Sequence, residues 1–114
     1  MNNLRVITVV AAVLVSINGM AQSKVAEDTL IVEGICGMCK QRIEEAAYGK
    51  GVKFVSWENA TDQLSIAYRS DKTSLEEIEA RIVAAGHSTG NKKAKREHYD
   101  QLPDCCRYEE LHDH

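Results

Sequence analysis

Basic residues are scarce relative to acidic ones in this sequence, which has 14 lysines and arginines against 17 aspartates and glutamates and a formal net charge of −3. Nucleic acids and anionic membrane surfaces both favour a basic patch on the proteins that bind them. The charge balance therefore argues against either as a partner. The one basic run, at residues 92–96, is interpreted as a solvated linker in so acidic a chain.

Long apolar runs are also missing, because the apolar stretch from Val6 to Ile17 falls short of the ~20 residues that a membrane-spanning helix needs. It follows one basic residue, Arg5, and precedes the small residues Gly19 and Ala21. This pattern predicts a signal peptide over residues 1–21, cleaved after Ala21, and no stable membrane insertion of the mature chain. We therefore expect a periplasmic or secreted protein. The alternative is an uncleaved N-terminal anchor.

Proline occurs once, as Pro103. Thioredoxin-like proteins place a cis-proline against their active site, and the chain before Pro103 offers no candidate for it. No motif resembles a nucleophile with a general base or a phosphate-binding loop. Without the signal peptide the chain can hold one small domain, in which an enzyme with an enclosed pocket would be cramped. We therefore expect a protein that is not an enzyme.

Four cysteines stand in two pairs, Cys36/Cys39 and Cys105/Cys106. The first pair has the Cys-x-x-Cys spacing and lies where an apolar strand gives way to a helix-forming run. Two thiolates at this spacing can converge on one soft ion or close into a disulfide. The dipole of the following helix should favour the thiolate of Cys39. Disulfides persist outside the cytoplasm, so the redox state of both pairs stays open.

The remaining sequence alternates between strand and helix patterns. Strands are predicted at 29–32, 52–57 and 64–68, with a weak one at 87–89, and helices at 40–48 and from Leu75 to Gly86. Thr73 and Glu76 form a candidate capping box for the second helix. We divide the mature chain into a leader (22–28), a domain (29–92) and a Cys- and His-containing tail (93–114). This order predicts an α+β fold in which one antiparallel sheet has both helices on one face.

Over residues 29–92 the chain resembles the heavy-metal-associated domain family, the modules of copper chaperones, copper-pump N-termini and periplasmic mercury-binding proteins. The resemblance rests on Cys36 and Cys39 between the first strand and helix, on Gly51 before the second strand, and on the helix that ends at Gly86. It implies a ferredoxin-like βαββαβ sandwich. It also implies transfer of a soft ion to or from a metal transporter, an efflux component or another metal-binding domain.

Two positions depart from the family pattern. Family members usually carry Met-Thr between a glycine and the first cysteine, where this chain has only Ile35 between Gly34 and Cys36. We expect Ile35 to take the packing place of that methionine. His87 stands where the family often has an aromatic residue, and it could pack there or place an imidazole near the site.

Two thiolates satisfy Cu(I) or Hg(II), whereas zinc prefers four ligands, so we expect Cu(I) ahead of Hg(II) and Zn(II). Cys105 and Cys106, with His112 or His114, form a candidate auxiliary metal site or a cover for the first, because adjacent cysteines bond to each other only with strain. Two alternatives stay open. The first cysteine pair could serve a thiol–disulfide redox protein, or the chain could be a metal-sensing interaction module.

Overall fold

The computed structural model describes residues 24–111. Within that range the elements are β1 (Val25–Ile31), α1 (Gly37–Ala47), β2 (Val52–Glu58), β3 (Gln63–Arg69), α2 (Leu75–Ala84), α3 (Arg96–Tyr99), a 3-10 helix (Asp104–Cys106) and α4 (Tyr108–Leu111). The predicted signal peptide and both tail histidines, His112 and His114, lie outside it. None of the helices in the described part of the chain is long and apolar enough to cross a membrane.

β3 is the central strand of the sheet and pairs antiparallel with β1 on one side and β2 on the other. β2 and β3 form the hairpin that the sequence predicted. The pairing of β1 runs from Val25 opposite Arg69 to Ile31 opposite Gln63. β1 therefore takes in residues 25–28, which the sequence analysis assigned to a leader.

The predicted last strand, residues 87–89, is reduced to a single antiparallel bridge between Val32 and Thr89. Its backbone lies beside the end of β1, because the Glu33 N–H donates to the Ser88 carbonyl at 2.8 Å and the Gly90 N–H donates to the Ile31 carbonyl at 2.9 Å. The strand stops there since the Thr89 hydroxyl accepts hydrogen bonds from the N–H groups of Asn91 and Lys92. A local turn of this kind competes with continued sheet pairing.

The helix α2 begins at Leu75 as predicted, but its N-cap differs from the prediction by one residue. Ser74, not Thr73, is the N-cap, and its hydroxyl accepts a hydrogen bond from the Glu77 N–H at 3.2 Å. Thr73 is buried, and its hydroxyl donates to the Glu77 carboxylate at 3.0 Å. The predicted stop at Gly86 is confirmed, because its φ of +102° is the left-handed conformation that glycine adopts at helix ends.

The core lies between one face of the sheet and the two long helices, as the predicted α+β, ferredoxin-like arrangement requires. Buried apolar side chains come from the strands (Leu30, Leu64, Ile66) and from the helices (Ile43, Ala47, Ile78, Ile82). Ile31 and Phe54 are exposed on β1 and β2. One side of the sheet therefore carries the packing that stabilises the fold.

The C-terminal tail packs on the domain. Four of its large or sulfur-bearing side chains are buried: Tyr99, Leu102, Cys106 and Tyr108. The charged side chains of the 92–96 run are exposed, as expected of a solvated linker. Ala94 within the run is buried, however, and its N–H donates to the Ser88 hydroxyl at 2.8 Å. This contact fixes the direction in which the tail leaves the domain.

Candidate metal centre

The loop between β1 and α1 places the first cysteine pair. Cys36 is the N-cap of α1 and has an extended backbone, with φ −143° and ψ 175°. Cys39 follows in the first helical turn, as predicted, although the helix begins at Gly37 rather than at the predicted Lys40. The two sulfur atoms lie 3.4 Å apart. Cys39 is fully buried, whereas Cys36 is partly exposed and can be reached from outside.

Trp57 supports this loop from below. Its indole N–H donates to the Val32 carbonyl at 3.0 Å. A Cβ atom on Gly34 would lie 2.9 Å from the Trp57 ring and 3.0 Å from the Ile43 side chain, so the loop can pass at this distance only with glycine at 34. Ile35 is partly buried against the core, which agrees with the packing role expected of it.

The tail brings a third thiol to the pair. Cys106, at the end of the 3-10 helix, is fully buried, and its sulfur lies 4.0 Å from that of Cys36. The sulfurs of Cys36, Cys39 and Cys106 all lie within 4.8 Å of one another. Among the residues that the structure describes, this is the group of three or more candidate ligands that could hold a metal ion.

Cys105 has a different environment although it is the neighbour of Cys106. Its side chain is exposed and lies 3.6 Å from the Met38 sulfur. Its backbone carbonyl accepts a hydrogen bond from the Cys36 thiol at 3.3 Å. The Cys105 sulfur lies 4.0 Å from that of Cys106. Of the two tail thiols, however, only that of Cys106 lies within 4.8 Å of both sulfurs of the first pair. All four cysteines are free thiols.

Local surroundings move the pKa values of two thiols in opposite directions. Burial acts to raise the pKa of Cys36, but hydrogen bonds with the backbone and thiol of Cys39 and with the Met38 backbone outweigh it and lower this pKa. Burial raises the pKa of Cys106, and the adjacent thiols of Cys39 and Cys36 raise it further. Of these two thiols, Cys36 loses its proton more readily.

His87 packs under the tail and is not one of the clustered ligands. It is fully buried, and its Nδ1 lies 2.8 Å from the Glu33 carbonyl oxygen. Its ring stacks on that of Tyr108, with centroids 5.8 Å apart. Of the two roles considered for His87, the structure shows packing. His112 and His114 lie outside the described residues, and their predicted auxiliary role stays a prediction.

The anchoring of the tail is the feature that the sequence analysis missed. Tyr108, Tyr99 and Leu102 are buried in the same cluster as Cys106 and hold it beside the loop. Their apolar and aromatic character just before and after the cysteine pair was the available signal. It carried no helix or strand period that could have located the surface they cover.

The cluster offers chemistry suited to a soft ion. Thiolates are the preferred ligands of Cu(I) and bind other soft metals. One sulfur is partly exposed and two are buried, so an incoming ligand can approach from the Cys36 side. An ion held here is therefore accessible to an incoming ligand from that side.

Residues 29–88 match the family model of the heavy-metal-associated domain. The solved structures that are similar to the chain include the following three. A Bacillus anthracis protein named for copper-ion binding is 28% identical, with a TM-score of 0.56, and the match covers 60% of this chain and 99% of that one. A CopZ metallochaperone is 27% identical, with a TM-score of 0.54 and coverage of 56% and 98%. The copper form of a CopA variant from Bacillus subtilis is 26% identical, with a TM-score of 0.50 and coverage of 59% and 91%. No curated protein matches the chain significantly.

Proposed function

The chain belongs to the heavy-metal-associated domain family, and we propose that it carries one soft metal ion, Cu(I) before Hg(II) or Zn(II), between other proteins. The observation that supports this most is the position of Cys36 and Cys39, whose sulfurs lie 3.4 Å apart at the start of α1. They are the two thiolates that hold the ion in this proposal.

Copper is the preferred cargo for two reasons. Soft thiolate ligands favour Cu(I), whereas zinc usually takes four ligands. Two of the similar structures also carry copper in their names, a Bacillus anthracis protein and a CopA variant. Hg(II), which two sulfur ligands also satisfy, comes second.

The role we propose is transfer without catalysis. Because Cys36 is partly exposed, a partner's thiolate can bond to the ion before Cys36 or Cys39 releases it. The partner would be a metal transporter, an efflux component or another metal-binding domain. The signal-peptide pattern of residues 1–21 supports a periplasmic or secreted location.

The test is a Cu(I) titration of the reduced chain from residue 22 onward, in competition with a Cu(I) chelator. We expect one tightly bound equivalent, and loss of this binding in Cys36→Ser and Cys39→Ser. Met38→Leu is the matched control, because Met38 lies between the two cysteines in the first turn of α1 and its side chain is exposed. Full affinity in the double Cys36→Ser, Cys39→Ser variant would refute the assignment.

Transfer is tested by mixing Cu(I)-loaded unlabelled protein with metal-free ¹⁵N-labelled protein. Amide signals of Gly37 and Cys39 in the labelled copy should move to their metal-bound positions as the ion exchanges. An ion that stays on the first copy for many hours would contradict a carrier role while leaving metal binding intact.

A further inference from the structure

Cys106 lies where a third ligand of the metal site would lie. We propose that its thiolate binds the same ion as Cys36 and Cys39, so that the tail completes a three-sulfur site. This inference rests on the proposed function, since it concerns the same ion. The added ligand comes from the C-terminal tail, which lies outside residues 29–88, the span of the family match.

The sulfur–sulfur distances support three ligands over two. With a metal–sulfur bond of ~2.3 Å, three sulfurs around one ion in a plane lie about 4.0 Å apart, and two sulfurs on opposite sides lie about 4.6 Å apart. The observed distances are 3.4 Å for Cys36–Cys39, 4.0 Å for Cys36–Cys106, and no more than 4.8 Å for the remaining pair. A planar three-sulfur site needs only small adjustments, whereas a linear site on Cys36 and Cys39 must widen that pair by about 1.2 Å.

The tail is held so that Cys106 keeps this position. The buried hydroxyl of Tyr108 donates to the Gly86 carbonyl at 2.8 Å and accepts from the Ser88 N–H at 3.0 Å. Leu102 is buried against Gly86, where an added Cβ would meet its side chain at 3.1 Å. Leu102 before Cys106 and Tyr108 after it are therefore both fixed to the domain, and they hold the Cys106 thiol beside the first cysteine pair.

A buried free cysteine can also serve as a small apolar side chain that fills the core. Packing alone would not require its sulfur to face two other sulfurs. Coordination and packing make different predictions, because a packed thiol can be replaced by an apolar group of similar size without changing the ligands of the ion.

Three-sulfur binding implies a defined order of steps in transfer. A partner's thiolate forms a bond to the ion, the bond to Cys106 breaks, and the released Cys106 thiolate takes up a proton from water. The ion keeps its oxidation state throughout.

The experiment is X-ray absorption on the reduced chain from residue 22 onward, loaded with one equivalent of Cu(I), together with chelator competition. We expect three sulfurs per copper in the wild type and two in Cys106→Ser and Cys106→Ala. The affinity for Cu(I) should fall at least ~10-fold in both variants, because loss of even a supporting residue costs a metal site ~10- to 100-fold in affinity. Cys105→Ser is the matched control and should keep three sulfurs, because its exposed thiol contacts Cys106 at 4.0 Å but is not one of the three mutually clustered thiols.

Circular dichroism and thermal unfolding of the metal-free variants show whether they fold. Two sulfurs per copper in the wild type would overturn the inference and leave the proposed function standing. Three sulfurs in the folded Cys106→Ala variant would overturn it too. Failure of the wild type to bind Cu(I) at all would instead refute the proposed function.

Discussion

The hydroxyl of Tyr108 donates a hydrogen bond to the Gly86 carbonyl 2.8 Å away, and so joins the C-terminal tail to the residue that ends α2. The same oxygen accepts from the Ser88 N–H, and the tyrosine ring lies against Tyr99 in an edge-to-face contact with centroids 5.1 Å apart. Residues far apart in the sequence thus share one buried polar centre. Tyr108, whose hydroxyl forms this centre, is two residues after Cys106 in the chain.

Tyr108→Phe should destabilise the protein. The change leaves the Gly86 carbonyl and the Ser88 N–H without this partner in a buried place, which costs about 1–3 kcal/mol of unfolding free energy. Urea denaturation of the reduced, metal-free protein measures the loss. Tyr48→Phe is the matched control, since Tyr48 is 61% exposed and the change should affect stability little. Equal stability of both variants would mean that the tail does not depend on this contact.

Gly34→Ala should weaken both the fold and the metal site. The added methyl group would lie 2.9 Å from the Trp57 ring, so the loop or the ring must shift. Overpacking of this kind costs about 1–3 kcal/mol, and the shift displaces Cys36. Gly37→Ala is the control, because a Cβ there meets nothing within 4 Å. Thermal unfolding and Cu(I) competition should show losses for the first variant only.

Stability should fall in mild acid because of His87. Burial lowers its pKa from the ordinary value of 6.5, and the hydrogen bond to Glu33 only partly opposes this. As pH falls below 6.5, the unfolded chain therefore takes up a proton that the folded chain does not, and the contribution of His87 to stability is lost as pH approaches the lowered folded value.

His87→Gln removes this proton linkage while leaving the carboxylates in place. The difference in unfolding free energy between wild type and variant should shrink from about pH 7.5 to about pH 5.5. Urea denaturation of both metal-free proteins at the two pH values provides the comparison. A difference that stays constant would show that the imidazole titrates alike in the folded and unfolded chains.

The protein should show no thiol–disulfide oxidoreductase activity comparable to that of thioredoxin. The reason is that Pro103 is the only proline in the sequence and lies after the domain, where it cannot be the cis-proline of a thioredoxin-like active site. Insulin reduction by the wild type, with thioredoxin as the positive control, measures this activity. Turnover comparable to thioredoxin would favour the redox alternative over a metal carrier.

The mature chain should begin at Gln22. The small residues Gly19 and Ala21 after the apolar stretch fit a signal-peptidase site. Intact mass and N-terminal sequencing of the protein recovered from cell fractions test this directly. A chain that still begins at Met1 in the membrane fraction would support the uncleaved anchor.

Local patterns explain why most of the fold could be predicted. Alternating apolar residues in Leu64, Ile66 and Tyr68 mark β3, and a spacing of four marks the buried face of α2 through Ile78 and Ile82. The prediction was wrong in detail where two neighbouring residues fit the same helix-capping pattern. Thr73 and Ser74 each precede a glutamate by three residues, and only packing decides which of them caps the helix.

The third thiol of the cluster could not be placed from sequence for a different reason. Cys106 is 70 positions from Cys36, and no local period connects them. Its position depends on where Tyr108 and Leu102 find buried partners on the domain. Contacts of this kind follow from the shape of the folded surface, which a residue pattern does not encode.

Trp57 is the single tryptophan of the chain, and it is buried directly beneath the loop that carries Cys36. Tryptophan fluorescence therefore comes from one position. The Trp57 ring lies against Gly34, which is two residues before Cys36 in the chain. Any movement of the loop against the indole ring alters the emission. The protein thus contains its own optical reporter, with which loading and release of an ion can be followed in real time without attaching a dye.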